Sequence, residues 1–545
     1  MKTRIVLALL LIGIVGILPF LFRKDSLASV TDDSADVLVI ISPHSEPMKY
    51  EFEQGFRKYY KKRFNKDIRI DFRAPGGTSD IVRYIHDRYT AQFKMHWEGD
   101  KNNPPWDDVI ASAFNDPNIL KDPSAPQRAV LARKKFLASD VGIGIDLFAG
   151  GGTFEHARNA SYGYAVDGGL QKRHPEYFKE DMIPCFFAGE YIYDPQGRYY
   201  GVTLSSFGIC CNYDRLKELS AGRKNFRNPE CWADLADPCY YNTLAAADPT
   251  KSGSANKSYE IIVQQAMHEV IPEKDKKKPS VEQMNKAWAN GINRVKRLMA
   301  NTRTITDSAG SVTREVASGN AAAGTAIDFY GLTEKEWNAV QIGTPIVEYI
   351  PPRGGTCIGA DPVQLLRGAP HRKAAEAFLD FIIGEEGQKL LCFKKGVEGG
   401  PEKYTLRHSP VRKDLYSKKY YSLRTDPDYF PYEAAALSFT YNGKWTGRYF
   451  SLIRILIRCI ALDVRDELKE AWGAIIAAGG PEKVPLAMKE FEKLPFCYAE
   501  APMAAKKLRK SKNNSALDIA ATTRKWSDFA REQYKKAARL AKEGK

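Results

Sequence analysis

The sequence lacks the short motifs that mark common enzyme classes. It has no G-x-S-x-G nucleophile turn, no H-E-x-x-H zinc motif and no Walker phosphate loop. The stretch "GIGIDL" begins like a dinucleotide-binding loop but has no third glycine. Its His, Asp and many Ser residues leave hydrolysis conceivable without supplying a motif for it. We therefore expect a protein that is not an enzyme and that needs no cofactor.

Cysteine is scarce and follows no motif. The nine cysteines are an odd number, so they cannot all pair within the chain, and no C-x-x-C or Cys/His metal spacing occurs. Cys231 and Cys239 could form a disulfide in an exported domain, and buried free thiols fit the sequence equally well. The neighbours Cys210 and Cys211 would point to opposite faces of a strand as packing residues.

Only one apolar run is long enough to span a membrane. The uncharged run from Ile5 to Phe22 is flanked by Lys2 and Arg4 on one side and by Arg23 on the other. Its length favours a membrane anchor within residues 1–30, although small residues near Ala28 also suit a cleaved export signal. We expect the rest of the chain to lie on one side of the membrane, in the periplasm or another extracytoplasmic space.

Acidic residues are few near the C-terminal end. Residues 503–545 hold 13 Lys and Arg against 4 Asp and Glu, or +9, and the formal net charge of the chain is +15. The other 502 residues therefore carry only +6. A solvated helix face explains such a tail more simply than a nucleic-acid site, and no aromatic-basic motif suggests nucleic acid as a partner.

The remaining pattern is typical of an α/β protein. "DVLVII" and "DIRIDF" are short apolar or alternating runs, each followed by a helical pattern, and "SDVGIGID" (139–146) predicts a third strand. The same alternation returns with "TLAAADP" and "AAAGTAID", and "HRKAAEAFLDFIIGEEGQKLL" predicts one strong helix. Strands and helices in alternation indicate parallel sheets covered on both faces, and 545 residues indicate more than one lobe. The region after about residue 420 is predicted to be helical and packed, because Lys444, Arg454 and Arg458 interrupt its apolar stretch.

Small, hydroxyl-bearing residues gather where the predicted strands end. Such loops leave backbone N–H groups and hydroxyls free to bind an anion, and the carboxyl ends of strands from two lobes can meet in one cleft. Ordinary helix capping is the alternative for each loop taken alone. The candidate ligand-binding residues are Ser42, His44, Ser45, Thr78, Ser79, Gly152, Thr153, Thr250, Ser252, Gly253, Ser254, Ser308 and Ser311.

Four ordered stretches resemble one known family. They are "SPHSEPMKYEFEQGF", "RYYGVTLSSFGICCNYDRLKE", "CWADLADPCYYNTLAAADPTKSGS" and "GADPVQLLRGAPHRKAAEAFLDFIIGEEGQKLL". Over residues 36–416 the chain is similar to the type II periplasmic solute-binding proteins of ABC transporters, in the branch that binds ferric iron, sugar phosphates and phosphonates.

The resemblance implies two lobes that close on a solute and are joined by crossing strands near 202–212 and 350–362. It divides the chain into lobe 1 at 36–205, lobe 2 at 206–350, a return to lobe 1 at 351–418, and a helical C-terminal extension with a basic tail at 419–545. The implied partners are a small anionic solute, phosphorylated or carboxylated, and the membrane permease of the transporter. We expect the chain to be a monomer.

The resemblance also adds two candidate residues and two alternatives. In ferric relatives a His and two adjacent tyrosines hold the metal; His44 matches the first position, but Phe329 and Tyr330 stand at the tyrosine pair. The alternative metal set is therefore His44, Asp328 and Tyr330, and the missing phenolate favours a solute site in which Asp328 accepts hydrogen bonds. A membrane-anchored sensory or scaffold protein with the same fold is the other alternative.

Overall fold

One sheet of 11 strands runs through the computed structural model, which describes residues 35–223, 226–434, 439–508 and 514–545. A separate two-stranded hairpin, β5 and β6, lies beside it. The strands are β1 (Asp36–Ile41), β2 (Ile68–Arg73), β3 (Leu147–Ala149), β4 (Ala165–Val166), β5 (Phe186–Phe187), β6 (Glu190–Tyr191), β7 (Tyr200–Asn212), β8 (Leu244–Ala247), β9 (Thr302–Thr306), β10 (Ala323–Ile327), β11 (Val347–Ile350), β12 (Ile358–Leu366) and β13 (Ser409–Pro410).

The sheet has two halves that share a single strand. Its order is β2-β1-β3-β12-β7-β10-β8-β9, with β1 parallel to β2 and β3, and β8 parallel to β9 and β10. The first half of β7 pairs with β12, and its second half, from Phe207, pairs with β10. We call the half built on β1 lobe 1 and the half built on β8 lobe 2. The chain passes from lobe 1 to lobe 2 along β7 and returns between β11 and β12.

Helices cover both faces of the two half-sheets. The α-helices are α1 (Glu46–Phe64), α2 (Thr78–Gly99), α3 (Asp108–Ala113), α4 (Gln127–Ala138), α5 (Thr153–Tyr162), α6 (Leu170–Arg173), α7 (Tyr213–Ser220), α8 (Gly253–Val270), α9 (Val281–Ala300), α10 (Ala309–Ala317), α11 (Asp328–Ile342), α12 (Arg372–Ile383), α13 (Glu385–Cys392), α14 (Pro431–Ala434), α15 (Phe450–Ile457), α16 (Arg465–Ala477), α17 (Pro485–Phe491), α18 (Ala501–Lys507) and α19 (Ala516–Lys542). This architecture confirms the predicted α/β class with two lobes, crossing strands and helices at the C-terminal end.

The C-terminal segment, by which we mean residues 439–545, completes the core of lobe 2. Trp472 and Tyr534 belong to the same buried apolar cluster as Leu244 of β8 and Ile292 of α9. Basic side chains of α19 pair with acids of neighbouring helices; Lys542, for example, lies 2.8 Å from Glu470. The tail is therefore a packed helix with a charged outer face, and its burial joins it to lobe 2.

Two sequence predictions of local structure are wrong. The third strand begins at Leu147 instead of in "SDVGIGID", where Gly144 has a φ of +71°. Just before the strand, Asp146 bonds to distant parts of the chain through its backbone and also through its side chain. Its carboxylate accepts hydrogen bonds from the backbone N–H of Val39 at 2.8 Å and of His371 at 2.6 Å. The predicted helix "HRKAAEAFLDFIIGEEGQKLL" is broken into α12 and α13 at Gly384, a residue with extended backbone angles that caps both.

Other expectations concern the membrane and the cysteines. The predicted anchor or signal at residues 1–30 lies outside the described residues. Among the helices that the structure describes, none is both long and apolar enough to cross a membrane. The stretch with Arg454 and Arg458 instead forms α15, a short π-helix (Arg458–Leu462) and α16, as predicted. All nine cysteines are free thiols, so Cys231 and Cys239 do not form a disulfide.

Candidate functional site

A cleft between the lobes is the candidate binding site. It encloses a cavity of about 40 Å³, enough for a few water molecules. Both crossing strands form its floor, and helix starts from both lobes form its walls. The lining residues are Gly152, Thr153, Phe154, Glu155, Glu190, Ser205, Phe207, Gly253, Ser254, Lys257, Ile327, Gly359, Ala360, Asp361 and Phe450.

Three helix N-termini converge at one wall of this cleft. A methyl group built on Gly151, just before α5, would lie 2.5 Å from a side-chain carbon of Thr78, the first residue of α2. A methyl group on Gly253, the first residue of α8, would lie 3.5 Å from Cβ of Thr78. Three helix starts this close combine their unpaired N–H groups and the positive ends of their dipoles, an environment that favours negative charge.

A carboxylate of the protein itself lies at this point. Glu155 is in the first turn of α5 and only 2% of its side chain is exposed. Its carboxylate oxygens lie 3.3 Å from a methyl group built on Gly152 and 3.5 Å from one built on Gly253. Glu155 therefore occupies the region where the helix starts of α5 and α8 favour an anion.

The C-terminal segment contributes two side chains to the same wall. The Phe450 ring packs 4.6 Å from the ring of Phe154, and Arg454 follows one turn later in α15. Nη1 of Arg454 donates to Oγ of Ser79 at 3.0 Å, and Nη2 lies 3.4 Å from Oε1 of Glu155. Burial lowers the pKa of the Arg454 guanidinium from its usual range. A residue of the C-terminal segment thus contacts the ligand-facing side of lobe 1.

An ion pair crosses the cleft on its other side. Nζ of Lys257, in α8 of lobe 2, lies 2.8 Å from Oε1 of Glu190 in the lobe 1 hairpin. The same Nζ lies 3.3 Å from Oε2 of Glu260 and 3.7 Å from the ring centroid of Tyr441. Although burial opposes it, the carboxylates of Glu190 and Glu260 raise the pKa of Lys257 well above its usual range, so this lysine is charged.

The crossing strands supply a carboxyl group at the cleft floor. Oγ of Ser205 in β7 donates to Oδ2 of Asp361 in β12 at 3.2 Å. Burial raises the pKa of Asp361 to about 7, and the negative charge of Asp328 acts in the same direction. Near neutral pH this group can therefore donate or accept a hydrogen bond to a hydroxyl of a solute.

Several predicted site residues form hydrogen bonds that cap a helix or stabilise a turn. Oγ of Ser252 caps α8 by accepting from the N–H of Ala255 at 3.2 Å, and the Thr250 hydroxyl donates to Asp248 at 2.7 Å. Ser308 and Ser311 hydrogen-bond to each other at 2.9 Å at the start of α10. These residues fit the capping alternative. In contrast, the Ser254 hydroxyl lines the cleft and has no hydrogen-bond partner within the described part of the chain.

The predicted residues after β1 lie beside the glycine loop of β3. A methyl group on Gly150 would be 2.5 Å from Nε2 of His44, so the half-buried imidazole packs on this backbone. Burial lowers the pKa of His44 to about 3, helped by nearby His408, Lys49 and His156, and the ring is neutral at pH 7. Oγ of buried Ser42 accepts from the N–H of His44 at 3.1 Å, whereas Ser45 is exposed at the start of α1.

In the alternative metal set, both carboxylate oxygens of Asp328 already accept hydrogen bonds from the protein. Oδ2 of Asp328 accepts from the N–H and Oγ of Ser206 at 2.9 and 3.0 Å, and Oδ1 accepts from the N–H of Phe329 at 2.8 Å. Burial raises the pKa of Tyr330 to about 12, and the negative charge of Asp361 acts in the same direction. Across the described ranges, no three His, Cys, Asp or Glu side chains form a group that could hold a metal ion.

Sequence reasoning missed four polar residues that line the cleft, and also Arg454, which contacts one of them. Glu155 and Lys257 follow predicted glycine loops by one helical turn, and that position was a usable signal. Asp361 and Glu190 lie on strands whose partners depend on the tertiary fold. Arg454 is 375 residues from Ser79 in sequence, and only its place in an apolar stretch hinted that it was buried.

This geometry defines a class of protein: two lobes joined by crossing strands, with a cleft lined from both sides. Residues 138–402 match the family model described as "Bacterial extracellular solute-binding protein". This part of the chain is therefore similar to that family, in agreement with the resemblance found in the sequence. The family consists of binding proteins and not of enzymes, in agreement with the expectation from the missing catalytic motifs.

Individual similar proteins are distant. An uncharacterized protein of Haemophilus influenzae is 27% identical over 247 residues, or 45% of this chain and 60% of that protein. The phosphoglycerate transport regulatory protein PgtC of Salmonella typhimurium is 23% identical over 191 residues, or 35% of this chain and 40% of PgtC. The chain thus spans about half the length of these curated relatives.

Among solved structures, the periplasmic binding protein AfuA of Actinobacillus pleuropneumoniae, with fructose-6-phosphate bound, is similar. The alignment covers 77% of this chain and 99% of AfuA, with 17% identity and a TM-score of 0.45.

Proposed function

We propose that this protein captures a small phosphorylated or carboxylated solute between its two lobes and delivers it to the permease of an ABC transporter outside the cytoplasm. The observation that carries this proposal is the convergence of the starts of α2, α5 and α8 on the interlobe cleft. The groups that favour an anion there are backbone N–H groups and helix dipoles, so no positively charged side chain is needed.

The other side of the cleft suits the rest of such a solute. Asp361, Glu190 and Ser205 offer oxygen atoms to hydroxyl groups, and the Phe207 and Phe450 rings offer apolar surface. A solute with an anionic group at one end and hydroxyls at the other matches both sides. The name of the relative PgtC, a phosphoglycerate transport regulatory protein, is consistent with this solute class.

Capture requires the lobes to move. In this state the cavity of about 40 Å³ has room for a few water molecules, so in our proposal the state is close to closed and the lobes open to admit a ligand. Both lobes share β7, and the chain returns through residues 351–357, so rotation about these crossings can open the cleft. Solute bound to both walls would then stabilise the closed state, and a permease that recognises that state would take up only loaded protein.

Thermal unfolding of the full-length protein against a panel of anions tests the proposal. The panel contains inorganic phosphate, 3-phosphoglycerate, fructose 6-phosphate, citrate, and Fe(III) with and without phosphate. A true ligand at a hundred times its dissociation constant should stabilise the folded state by about 2.7 kcal/mol, which raises the midpoint visibly.

The outcomes separate the alternatives. A shift with an organic phosphate or carboxylate supports the proposal, and uncharged fructose serves as the matched control for fructose 6-phosphate. A shift with Fe(III) alone would overturn it in favour of the ferric alternative. No shift with any compound would contradict solute capture from this panel and favour a sensory or scaffold role.

A further inference from the structure

The C-terminal segment delivers a buried cation to the anion-favouring wall of the cleft. Phe450 packs on Phe154, and the Phe450 carbonyl accepts from Nδ2 of Asn256 in α8 at 2.9 Å, so α15 is fixed to both lobes. Arg454 lies on the same face of α15, with its guanidinium carbon 5.3 Å from the centroid of the Phe450 ring. Packing against Phe450 therefore fixes the position of the Arg454 side chain, which does not move freely as a surface arginine would.

The guanidinium of Arg454 has unused hydrogen-bonding capacity. Its five N–H donors are directed by a rigid plane, and among the described residues only Ser79 and Glu155 accept from them. Its Nε is buried without a partner in the described part of the chain. The side chain is 13% exposed, and a buried donor left unpaired costs free energy. A tetrahedral or planar oxyanion could satisfy these donors with two parallel hydrogen bonds.

Glu155 already holds the position that such an oxyanion would take. Its carboxylate is paired with Arg454 and lies against the glycines that open α5 and α8. The contact of 3.4 Å with Nη2 is long for a charge-assisted hydrogen bond, whose usual length is about 2.7–2.9 Å. The pair is thus loosely joined at the place where three helix starts favour negative charge.

We propose that Arg454 is a binding residue for the anionic group of the solute, and that Glu155 occupies its guanidinium until the solute displaces it. This inference rests on the proposed function and adds to it a residue outside the matched domain, 138–402. The solute class is a monoanionic or dianionic oxyanion, of which a phosphate ester and a carboxylate are the two sources to be distinguished. Glu155 acts as an internal competitor that lowers the affinity for such an anion.

Opposite effects of substituting the two partners are the distinguishing test. Binding of 3-phosphoglycerate, inorganic phosphate and citrate to the full-length protein is measured by calorimetry. Arg454→Gln should weaken binding by about 10- to 100-fold, the usual worth of a charge-assisted hydrogen bond. Glu155→Gln removes the competitor and should strengthen binding several-fold. A merely structural Arg–Glu pair would make both variants weaker or leave both unchanged.

Matched controls use the same changes away from the cleft. Arg448→Gln alters an exposed arginine of the C-terminal segment that contacts Tyr498, and Glu98→Gln alters a half-exposed acid at the far end of α2. Neither variant should change the affinity for the anion by more than about twofold, because salt screens the charges of exposed side chains that lie away from the cleft. Arg454→Lys keeps the charge but loses the forked geometry, and it should fall between wild type and Arg454→Gln.

Each outcome bears on the proposal. If Arg454→Gln does not fold, Glu155→Gln still decides, because unchanged or weaker binding in that variant overturns the competitor role. If wild type and Arg454→Gln bind the anion equally well, this inference is overturned and the proposed function is left intact. No binding of any of the anions to wild type overturns both. A stronger effect with inorganic phosphate than with citrate identifies the phosphate source, and the reverse identifies the carboxylate.

Discussion

Asp361 shows how a single buried carboxyl group can make the cleft sensitive to pH. It lies on β12 at the cleft floor, beside Ser205, with the charge of Asp328 close by and Tyr330 near enough to be affected by Asp361. Its folded pKa of about 7 exceeds the usual aspartate value of 3.8. The folded state therefore holds the proton more tightly than the unfolded state does.

Substituting Asp361→Asn should stabilise the protein increasingly as pH rises. The stability contributed by the Asp361 proton is complete below about pH 4 and is lost as pH rises to about 7, whereas Asn does not titrate. From pH 5 to pH 8 the free energy of unfolding of the variant should rise by about 2 kcal/mol relative to that of wild type. This figure is lowered to allow for the partial exposure of Asp361. Urea unfolding at both pH values measures this difference.

The exposed residue Asp181 provides the control. Asp181→Asn makes the same substitution at the surface and reports any effect of the Asp-to-Asn change itself at the two pH values. A pH-independent difference for Asp361→Asn would contradict the raised pKa and remove the argument that this group is partly protonated at pH 7.

At the scale of single residues, the sequence predicted which residues form the loops before helices better than it predicted which residues face a ligand. Ser252 and Gly253 were predictable because a small-residue loop before a helix has few structures available to it. Whether such a hydroxyl caps its helix or faces a ligand depends on rotamers and on neighbours from elsewhere. Arg454 was beyond prediction as a site residue, since its partners come from elements hundreds of residues earlier in the chain.

At the scale of the element, the start of α8 separates these two roles. Ser252 caps the helix, whereas Ser254 faces the cleft. Ser252→Ala should lower the free energy of unfolding by about 1 kcal/mol, and Ser254→Ala should change it by less than about 0.5 kcal/mol. We expect only Ser254→Ala to weaken 3-phosphoglycerate binding beyond what the loss of stability explains. Denaturant unfolding and calorimetry on each variant measure the two effects.

Ser252→Gly is the matched control for the cap. Glycine costs an N-cap only a few tenths of a kcal/mol, so this variant should recover most of the stability lost in Ser252→Ala. A reversed pattern, with Ser254→Ala the less stable protein, would mean that Ser254 holds the helix start.

Elements were predicted where local patterns suffice and missed where distant contacts decide. "DVLVII" forms β1 over the predicted residues because its apolar run leaves few alternatives. "SDVGIGID" failed because Gly144 adopts a φ of +71° and Asp146 bonds to two distant backbone groups. The break at Gly384 shows the same limit, since the apolar period continues across it.

At the scale of the whole molecule, the Glu190–Lys257 pair ties the lobes together across the cleft. Glu190→Gln removes the charge from lobe 1 and leaves Lys257 paired with Glu260. The change should make the closed arrangement of the lobes less stable by about 1 kcal/mol relative to the open one. This figure lies between the usual values for exposed and for buried ion pairs. We expect a larger radius of gyration by small-angle X-ray scattering without ligand, and an unchanged one with saturating ligand.

Glu176→Gln serves as the control because it removes an acid of lobe 1 that is 55% exposed and remote from lobe 2 in its contacts. It should leave the scattering curve as in wild type. Identical ligand-free curves for Glu190→Gln and wild type would show that the pair does not hold the lobes closed.

The joint core of lobe 2 has a consequence for how the protein is made. Leu244 of β8 belongs to the same buried apolar cluster as Tyr534 and Ala541, so part of the apolar surface of lobe 2 stays uncovered until residues 516–542 have been made. Lobe 1 must also wait for β12 to fill the place between β3 and β7. Chains of this length that expose apolar surface during synthesis tend to aggregate, so we expect chaperones to protect the new chain until α19 has been made.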